Sequence, residues 1–384
     1  MQPAPPVTTS AELLHALDLL AEGDFVALDT EFMRESTYFP KLCLLQAATA
    51  RHCVIIDPLA LTDLQPLWDF LNDRGRIKVL HAARQDLEVM SLGMSSPRVL
   101  LNQGSLNPNE VTLSGPIFDT QIAAALLGHP AQIGYGALVA ERLGQTLAKG
   151  HTRTDWSRRP LSVEQLQYAE DDVRYLVPLY INLRDALEQA GRTHWLYEDT
   201  RELEQPGLHR TEPEAAWKRL KGLDRLRPEQ RATAKLLAQW REENAIKHDK
   251  PRGWILADDA LREIAEQLPT DSAALETVRN LPGGVIRKRG QELLELIARG
   301  RDQAGGEPAA MTPPRPDPQQ QALVTKLMNF TRTQAEELKV SPELLATRRD
   351  VEQLVFARRT DRLMTGWRKE IIGEPLVAKL ATAG

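Results

Sequence analysis

The sequence predicts an α/β domain with a mixed sheet, followed by an all-helical C-terminal half. Three observations predict it. First, FVALDTEF, KLCLLQAAT and HCVIIDP are β-rich runs with brief connections, which suits consecutive antiparallel pairing. Second, strand and helix patterns then alternate to about residue 190, which makes the sheet mixed. Third, strand signals stop near residue 210 and the patterning beyond is helical.

Taken in order, AELLHALDLLAEG is an amphipathic helix with a glycine stop. After the three strands a helix is expected around 61–74, a strand at IKVLHAA and a helix over 84–93. IFDTQIAAALLG reads as a short strand or turn entering a helix, and the pattern after Gly134 is helical nearly to Ala190. Residues 95–116 have no clean period; a loop this long is disordered or functional, and we read it as a flexible insertion rather than a substrate lid. Residues 301–320 are rich in Gly and Pro and poor in apolar residues, as a linker is. The helical blocks on either side share a loose plan: a long amphipathic opening helix, a Pro-started helix, then a basic and apolar close. They suit diverged copies of one module. The expected boundaries are 1–205 for the α/β domain, 210–300 and 321–384 for the helical blocks, and 301–320 for the linker.

A chain of 384 residues has room for two or three domains, and 42% hydrophobic with 26% charged residues is ordinary for soluble protein. No apolar run reaches the ~18 residues that span a bilayer. The start lacks the basic and apolar character of a secretory signal, so a cytoplasmic protein without a membrane partner is expected. Cys43 and Cys53 each lie in an apolar run without CxxC spacing and read as reduced core residues. Residues 1–209 hold 17 Lys/Arg against 27 Asp/Glu, and residues 210–384 hold 31 against 26. The basic tail suits a nucleic-acid partner or an ordinary solvated helix surface. The acidic head repels a phosphate chain unless metal ions neutralise it.

The position of the acids therefore matters. Asp29 and Glu31 lie two apart in an apolar strand, so both leave it on one face, at a sheet end where ligands commonly bind. Two solvated acids at a strand exit would look the same. Asp86 follows a second apolar strand and opens a helix, which the helix dipole alone would also explain. Asp119 in IFDTQ reads as an N-cap or supporting residue, and His81 as a hydrogen-bonded structural one. In VEQLQYAEDDVRYLVPLY, with Tyr168 set at zero on a helix of ~100° per residue, the apolar residues fall between ~80° and ~180°. Asp172 falls at ~40°, at the margin of that stripe, and Asp171 at ~−60°, facing outward. Tyr168 and Asp172 are i,i+4 neighbours that can meet one site.

An acid pair on a strand end, an acid after a later strand, and a Tyr-x-x-x-Asp helix occur in this order over about 145 residues. The pattern resembles the DEDD exonuclease superfamily in its tyrosine-bearing branch. DTEFMRESTYFPKLCLLQ, HAARQDLEVM, FDTQIAAALLG, IGYGALV and RTDWSRRPLSVEQLQYAEDDVRYL are similar to the ribonuclease D family. The two helical blocks, through Trp240 with Arg241 and through GWRKEI at 366–371, resemble the helicase and ribonuclease D C-terminal (HRDC) domain. The 95–116 loop departs from the family's shorter connection.

The resemblance implies a ribonuclease H-like exonuclease domain with a mixed sheet, followed by two all-α HRDC-like domains. It implies a 3′–5′ exoribonuclease with two divalent metal ions, Mg²⁺ or Mn²⁺, held by Asp29, Glu31, Asp86 and Asp172. Asp29 would bridge both metals. Glu31 and Asp172 would hold the one carrying the attacking water, and Asp86 the other. Tyr168, whose phenol has an unperturbed pKa near ~10, would orient that water rather than act as its base. Phe32, Met33, Arg34 and Tyr38 could line the substrate channel, and Arg153, Trp156, Arg158 and Arg159 could grip phosphate; packing and surface charge would place the same residues there. The seven tryptophans otherwise read mostly as core anchors. The expected partner is RNA, best a tRNA precursor with a single-stranded 3′ end, acted on by a monomer. Competing readings are a DNA-directed 3′–5′ exonuclease, a non-catalytic RNA-binding protein on the same fold, and a metal phosphatase. The last lacks the expected phosphate-binding glycine loop. The acids do not distinguish RNA from DNA, since that choice depends on contacts to the 2′-hydroxyl.

Overall fold

A computed structural model describes residues 3–94, 113–147, 154–205, 212–306 and 317–383. Most of the 95–116 loop and Arg153 thus lie outside the described residues. The chain forms two compact units. One comprises Met1–Met33, Lys41–His209 and Pro316–Gly384; the other comprises Arg34–Pro40 and Arg210–Arg315.

In the first unit, α1 (Ser10–Leu20) precedes β1 (Phe25–Met33), β2 (Lys41–Ala48) and β3 (Cys53–Ile56). α2 (Gln65–Leu71), β4 (Ile77–Leu80), α3 (Arg84–Met94), β5 (Ile117–Asp119) and α4 (Thr120–Leu126) follow. The strand order is β3-β2-β1-β4-β5. β1 is antiparallel to β2 and β2 to β3, while β4 is parallel to both β1 and β5. The mixed sheet is therefore as the sequence indicates.

Strand alternation divides the core between the two faces of β1. Val26 and Leu28 pack with Leu13, Leu67 and Leu87 of α1, α2 and α3. Phe25 and Ala27 pack on the opposite side, with Ala124, Leu138 and Tyr180. The second side is covered by α4, α5 (Tyr135–Leu143), α7 (Leu176–Gln189) and α8 (Thr193–Thr200). α6 (Val163–Arg174) precedes α7. Continuous helix from Gly134 to Ala190 does not form. Gly144 stops α5 in the left-handed conformation, φ 67°. Asp155 then binds the Ser157 amide and hydroxyl in a turn, which is local competition of the Asx type.

The second unit holds α9 (Pro228–His248), α10 (Arg252–Ile255), α11 (Asp258–Gln267), α12 (Ser272–Glu276) and α13 (Gly283–Asp302). They enclose a separate core around Leu237, Leu261 and Leu293. Trp254 departs from the expected anchors, being 63% exposed. Residues 34–40 join this unit. The Tyr38 and Phe39 amides donate to Asp249 Oδ1 at 2.9 and 3.0 Å, and the Tyr38 hydroxyl donates to the buried Glu242.

The first unit closes with α14 (Pro318–Leu338), α15 (Pro342–Leu345), α16 (Arg348–Ala357) and α17 (Glu374–Ala383). Of the expected linker, residues 307–316 lie outside the described residues. Helix and a 3₁₀ turn run to Gly306, and Asp317 caps α14 in a capping box with Gln320. No described helix is long and apolar enough to cross a membrane.

Candidate active site

β1 delivers Asp29 and Glu31 on the face that α6 covers, because residues two apart on a strand point the same way. The register with β2 shifts between Glu31 and Phe32, just past the acids, and pairing resumes at Phe32 and Leu42. Such bulges re-aim side chains. α6 brings Asp172 to the pair: oxygens of Asp29, Glu31 and Asp172 all lie within 4.8 Å of one another. Tyr168, one turn before Asp172, donates its hydroxyl to that carboxylate.

Asp86 arrives differently. Its helix, α3, packs on the other side of β1, where Thr30 also points. The Thr30 hydroxyl donates to Asp86 Oδ1 at 2.6 Å. Asp86 thus stands outside the close trio, and its charge is felt at Asp29 and Glu31. Asp119 caps α4 through the amides of Gln121 and Ile122 and also accepts from Ala82 and Ala83. It fixes the turn that starts α3, the supporting role its sequence position suggests. His81 is hydrogen-bonded between Thr120 and the Ile133 carbonyl, also as expected.

The cluster is costly to ionise. Burial, followed by the charges of Asp86, Asp172 and Glu31, holds Asp29 well above the usual carboxylate range. Burial with Asp172 and Asp86 pushes Glu31 up to about 8. Burial raises Asp172 to about 7 against the Tyr168 hydrogen bond, and Asp86 to about 6 against the Thr30 bond. Carboxylate oxygens crowded this closely fit a hard divalent cation, which takes oxygen ligands and cancels their repulsion.

The expected substrate residues divide. Phe32 packs partly buried against the α1–α3 core, and Met33 beside Tyr168 and Leu166. Arg34 and Tyr38 fall in the second unit, where the Tyr38 hydroxyl is taken by Glu242. Arg158 is exposed and paired with Asp155 at 3.1 Å. Trp156 and Arg159 require correction. Trp156 is only 2% exposed and packs with Cys43, Leu44 and Ile55, its ring 6.1 Å from that of Tyr168. It is a core anchor. Arg159 spends its donors on both Asp57 oxygens and on the carbonyls of Cys43, Trp156 and Arg158. A guanidinium has five N–H donors, so none remains for phosphate. Cys43 and Cys53 are free thiols, both raised by burial, Cys53 to about 12.

Sequence reasoning passed over Thr30 and Tyr135. The signal for Thr30 was available: the residue between two same-face acids must point the other way, toward α3.

The chain is similar to known proteins over nearly its whole length. Residues 5–188 match the 3′–5′ exonuclease family model, and residues 230–297 match the HRDC domain. Ribonuclease D of Nitrobacter hamburgensis is 36% identical over 375 residues, covering 97% of this chain and 94% of that protein. Ribonuclease D of Granulibacter bethesdensis is 38% identical over 392 residues, covering 98% and 92%. The crystal structure of Escherichia coli RNase D, described as an exoribonuclease involved in structured RNA processing, matches with a TM-score of 0.84 at 32% identity over 98% of both chains. A protein from Bifidobacterium adolescentis shares the fold, with a TM-score of 0.68 at 21% identity over 99% of this chain and 98% of that one. The chain belongs to the ribonuclease D family and is a 3′–5′ exoribonuclease, with an exonuclease domain on a mixed sheet, an HRDC domain and a need for divalent metal ions.

Proposed function

We propose that Asp29, Glu31 and Asp172 hold one divalent ion and that Asp86, with Asp29, holds a second, so that the enzyme trims RNA 3′ ends by two-metal phosphodiester hydrolysis. The observation that carries this reading is the meeting of three carboxylates from β1 and α6 within 4.8 Å. When bound, such ions make a water acidic and stabilise charge on the attacking and leaving oxygens. The chain's own groups do the rest. Asp29 feels the charges of Asp86, Asp172 and Glu31 alike, which suits a ligand shared by both ions. Thr30 steadies Asp86. Burial and the charges of Asp172, Glu31 and Asp29 raise the Tyr168 phenol further above its ordinary value. It therefore stays protonated at neutral pH and orients the water instead of deprotonating it. Phe32, Met33 and Arg158 are the remaining candidates for substrate contact close in sequence to these groups.

Residues 321–384 are a second HRDC-like module on this reading, and residues 210–300 the first. Equal helix lengths support it: 21, 4 and 10 residues in α9, α10 and α11 and again in α14, α15 and α16. Left-handed caps recur in the same places, at Asp249 and Leu268 and at Lys339 and Arg358. The proposed substrates are tRNA precursors with single-stranded 3′ ends. The description of the E. coli relative as acting in structured RNA processing supports that choice.

The test uses 5′-labelled RNA and DNA with Mg²⁺, Mn²⁺ or EDTA. A ladder of shortening RNA is expected with metal and not with EDTA. Asp29→Asn and Asp172→Asn should each bring hydrolysis to background while gel-shift binding of the RNA persists. Turnover near the unsubstituted rate in either variant would falsify the assignment.

A further inference from the structure

Asp172 comes from a different element than Asp29 and Glu31, and its charge pushes both of them up. Carboxylates in such proximity repel one another, so something other than the acids must hold α6 against the sheet when no cation bridges them. The hydroxyl of Tyr135 is placed to do so.

Tyr135 opens α5 directly after Gly134. Its hydroxyl donates to the backbone carbonyl of Asp171, the residue before Asp172, at 3.2 Å. Within the helix that carbonyl receives only a longer bond, 3.4 Å, from the Tyr175 amide. The tyrosine itself is braced. Its ring lies 5.6 Å from that of His81. The turn before it is pinned at the Ile133 carbonyl by His81 Nε2 at 3.1 Å and Gln121 Nε2 at 3.0 Å. His81 directly precedes Ala82 and Ala83, whose amides Asp119 accepts at 3.2 and 2.9 Å. One series of contacts therefore runs from the turn that starts the Asp86 helix to the residue beside Asp172.

We propose that Tyr135 is a positioning residue for the metal site: its hydroxyl, by tethering the Asp171 carbonyl, holds Asp172 against Asp29 and Glu31 at the spacing a divalent cation needs. The inference rests on those acids being the metal ligands. Phenylalanine at 135 keeps the ring and its packing and loses the tether. The last turn of α6 then relaxes away from the opposing charges, and a cation must draw it back. Affinity falls, and the rate at saturating metal survives.

The experiment compares full-length Tyr135→Phe and Tyr135→Leu with the unsubstituted protein. It measures Mn²⁺ binding by titration calorimetry and the Mn²⁺ dependence of hydrolysis of a 5′-labelled RNA. Both variants should bind Mn²⁺ about ten-fold more weakly, the range usual for groups that orient metal ligands. kcat at saturating Mn²⁺ should be nearly restored, and only the leucine variant should melt markedly lower. Unchanged Mn²⁺ affinity in Tyr135→Phe overturns the proposal, whatever its Tm. So does a shift confined to Tyr135→Leu, which assigns the effect to ring packing. Asp29→Asn tests the reading beneath it: if that variant binds Mn²⁺ as the unsubstituted protein does, the ligand assignment is at fault and not the tether.

Discussion

Thr30 sits between two acids and serves a third, and that alternation explains why the site has three close carboxylates and one set apart. Asp29 and Glu31 face α6, while Thr30 faces α3 and binds Asp86. The folded protein therefore keeps several carboxylates above their unfolded values near ~4. A carboxylate raised on folding adds stability that is fully present below its unfolded pKa and is lost as pH rises through its folded pKa. With unfolded values near ~4, Asp86 at about 6, Asp172 at about 7 and Glu31 at about 8 spread that loss from about pH 4 to about pH 8. Metal-free protein should melt at lower temperature at the upper end of this window than at the lower. The rise in Tm on adding Mg²⁺ should be largest at the upper end, because binding replaces protons. Thermal scans in EDTA and in Mg²⁺ across the window check this, and a flat or rising Tm in EDTA contradicts it. At this scale, helix geometry favoured Asp172 over Asp171 in the sequence, and the structure puts Asp172 with the pair while Asp171 bonds Gln167. The commitment of Arg159 was not legible, since its partner Asp57 lies 102 residues away.

At the scale of elements, sequence punctuation was informative where it was local. Asp317 followed by Pro318 is a cap and first-turn pair, yet the surrounding Gly- and Pro-rich composition disguised the helix start as linker. Helix packing in the second unit shows the opposite case, where one glycine decides a contact that no local pattern announces. A Cβ at Gly300, on α13, would lie 2.2 Å from Thr233 Oγ1, 2.7 Å from its Cα and 2.8 Å from its N, on α9. Two of those atoms are backbone and cannot turn aside. Gly300→Ala should push the two helices apart and cost ~1–3 kcal/mol, the usual range for overpacking. Hydrogen exchange of the full chain should then quicken in 228–302 and not in the sheet. Unchanged protection of α9 and α13 would mean that the crossing tolerates the methyl group.

At the scale of the molecule, the two helical blocks have different fates, one in a core of its own and the other in the nuclease core. An apolar stripe shows that a helix face is buried but not what buries it, so the sequence left open whether the tail joins the nuclease. Trp367 stacks on Trp195 at 4.2 Å and 7°, donates through Nε1 to Asp199 at 3.1 Å, and through its amide to Glu198 at 2.8 Å. Arg368 pairs with both oxygens of Asp199. Arg192 reaches the Leu126 and Leu338 carbonyls, and the Ser341 amide donates to the Ala125 carbonyl. The GWRKEI phrase that marked a separate module is thus also the seam that joins it to α8. Trp367→Ala should cost ~3–5 kcal/mol, a large share of the ~5–15 kcal/mol that holds a typical domain. A chain ending at residue 316 removes the whole partner face, including Val324, Leu327 and Leu354. It should aggregate, or melt well below the full chain with little turnover even on short RNA that touches only the acids. Were the shortened chain to keep the full-length Tm and turnover, the final block would be separable and the shared core incidental. Sparse contacts with an independent domain would predict that result, and the buried Trp–Trp and Arg–Asp pairs argue against it.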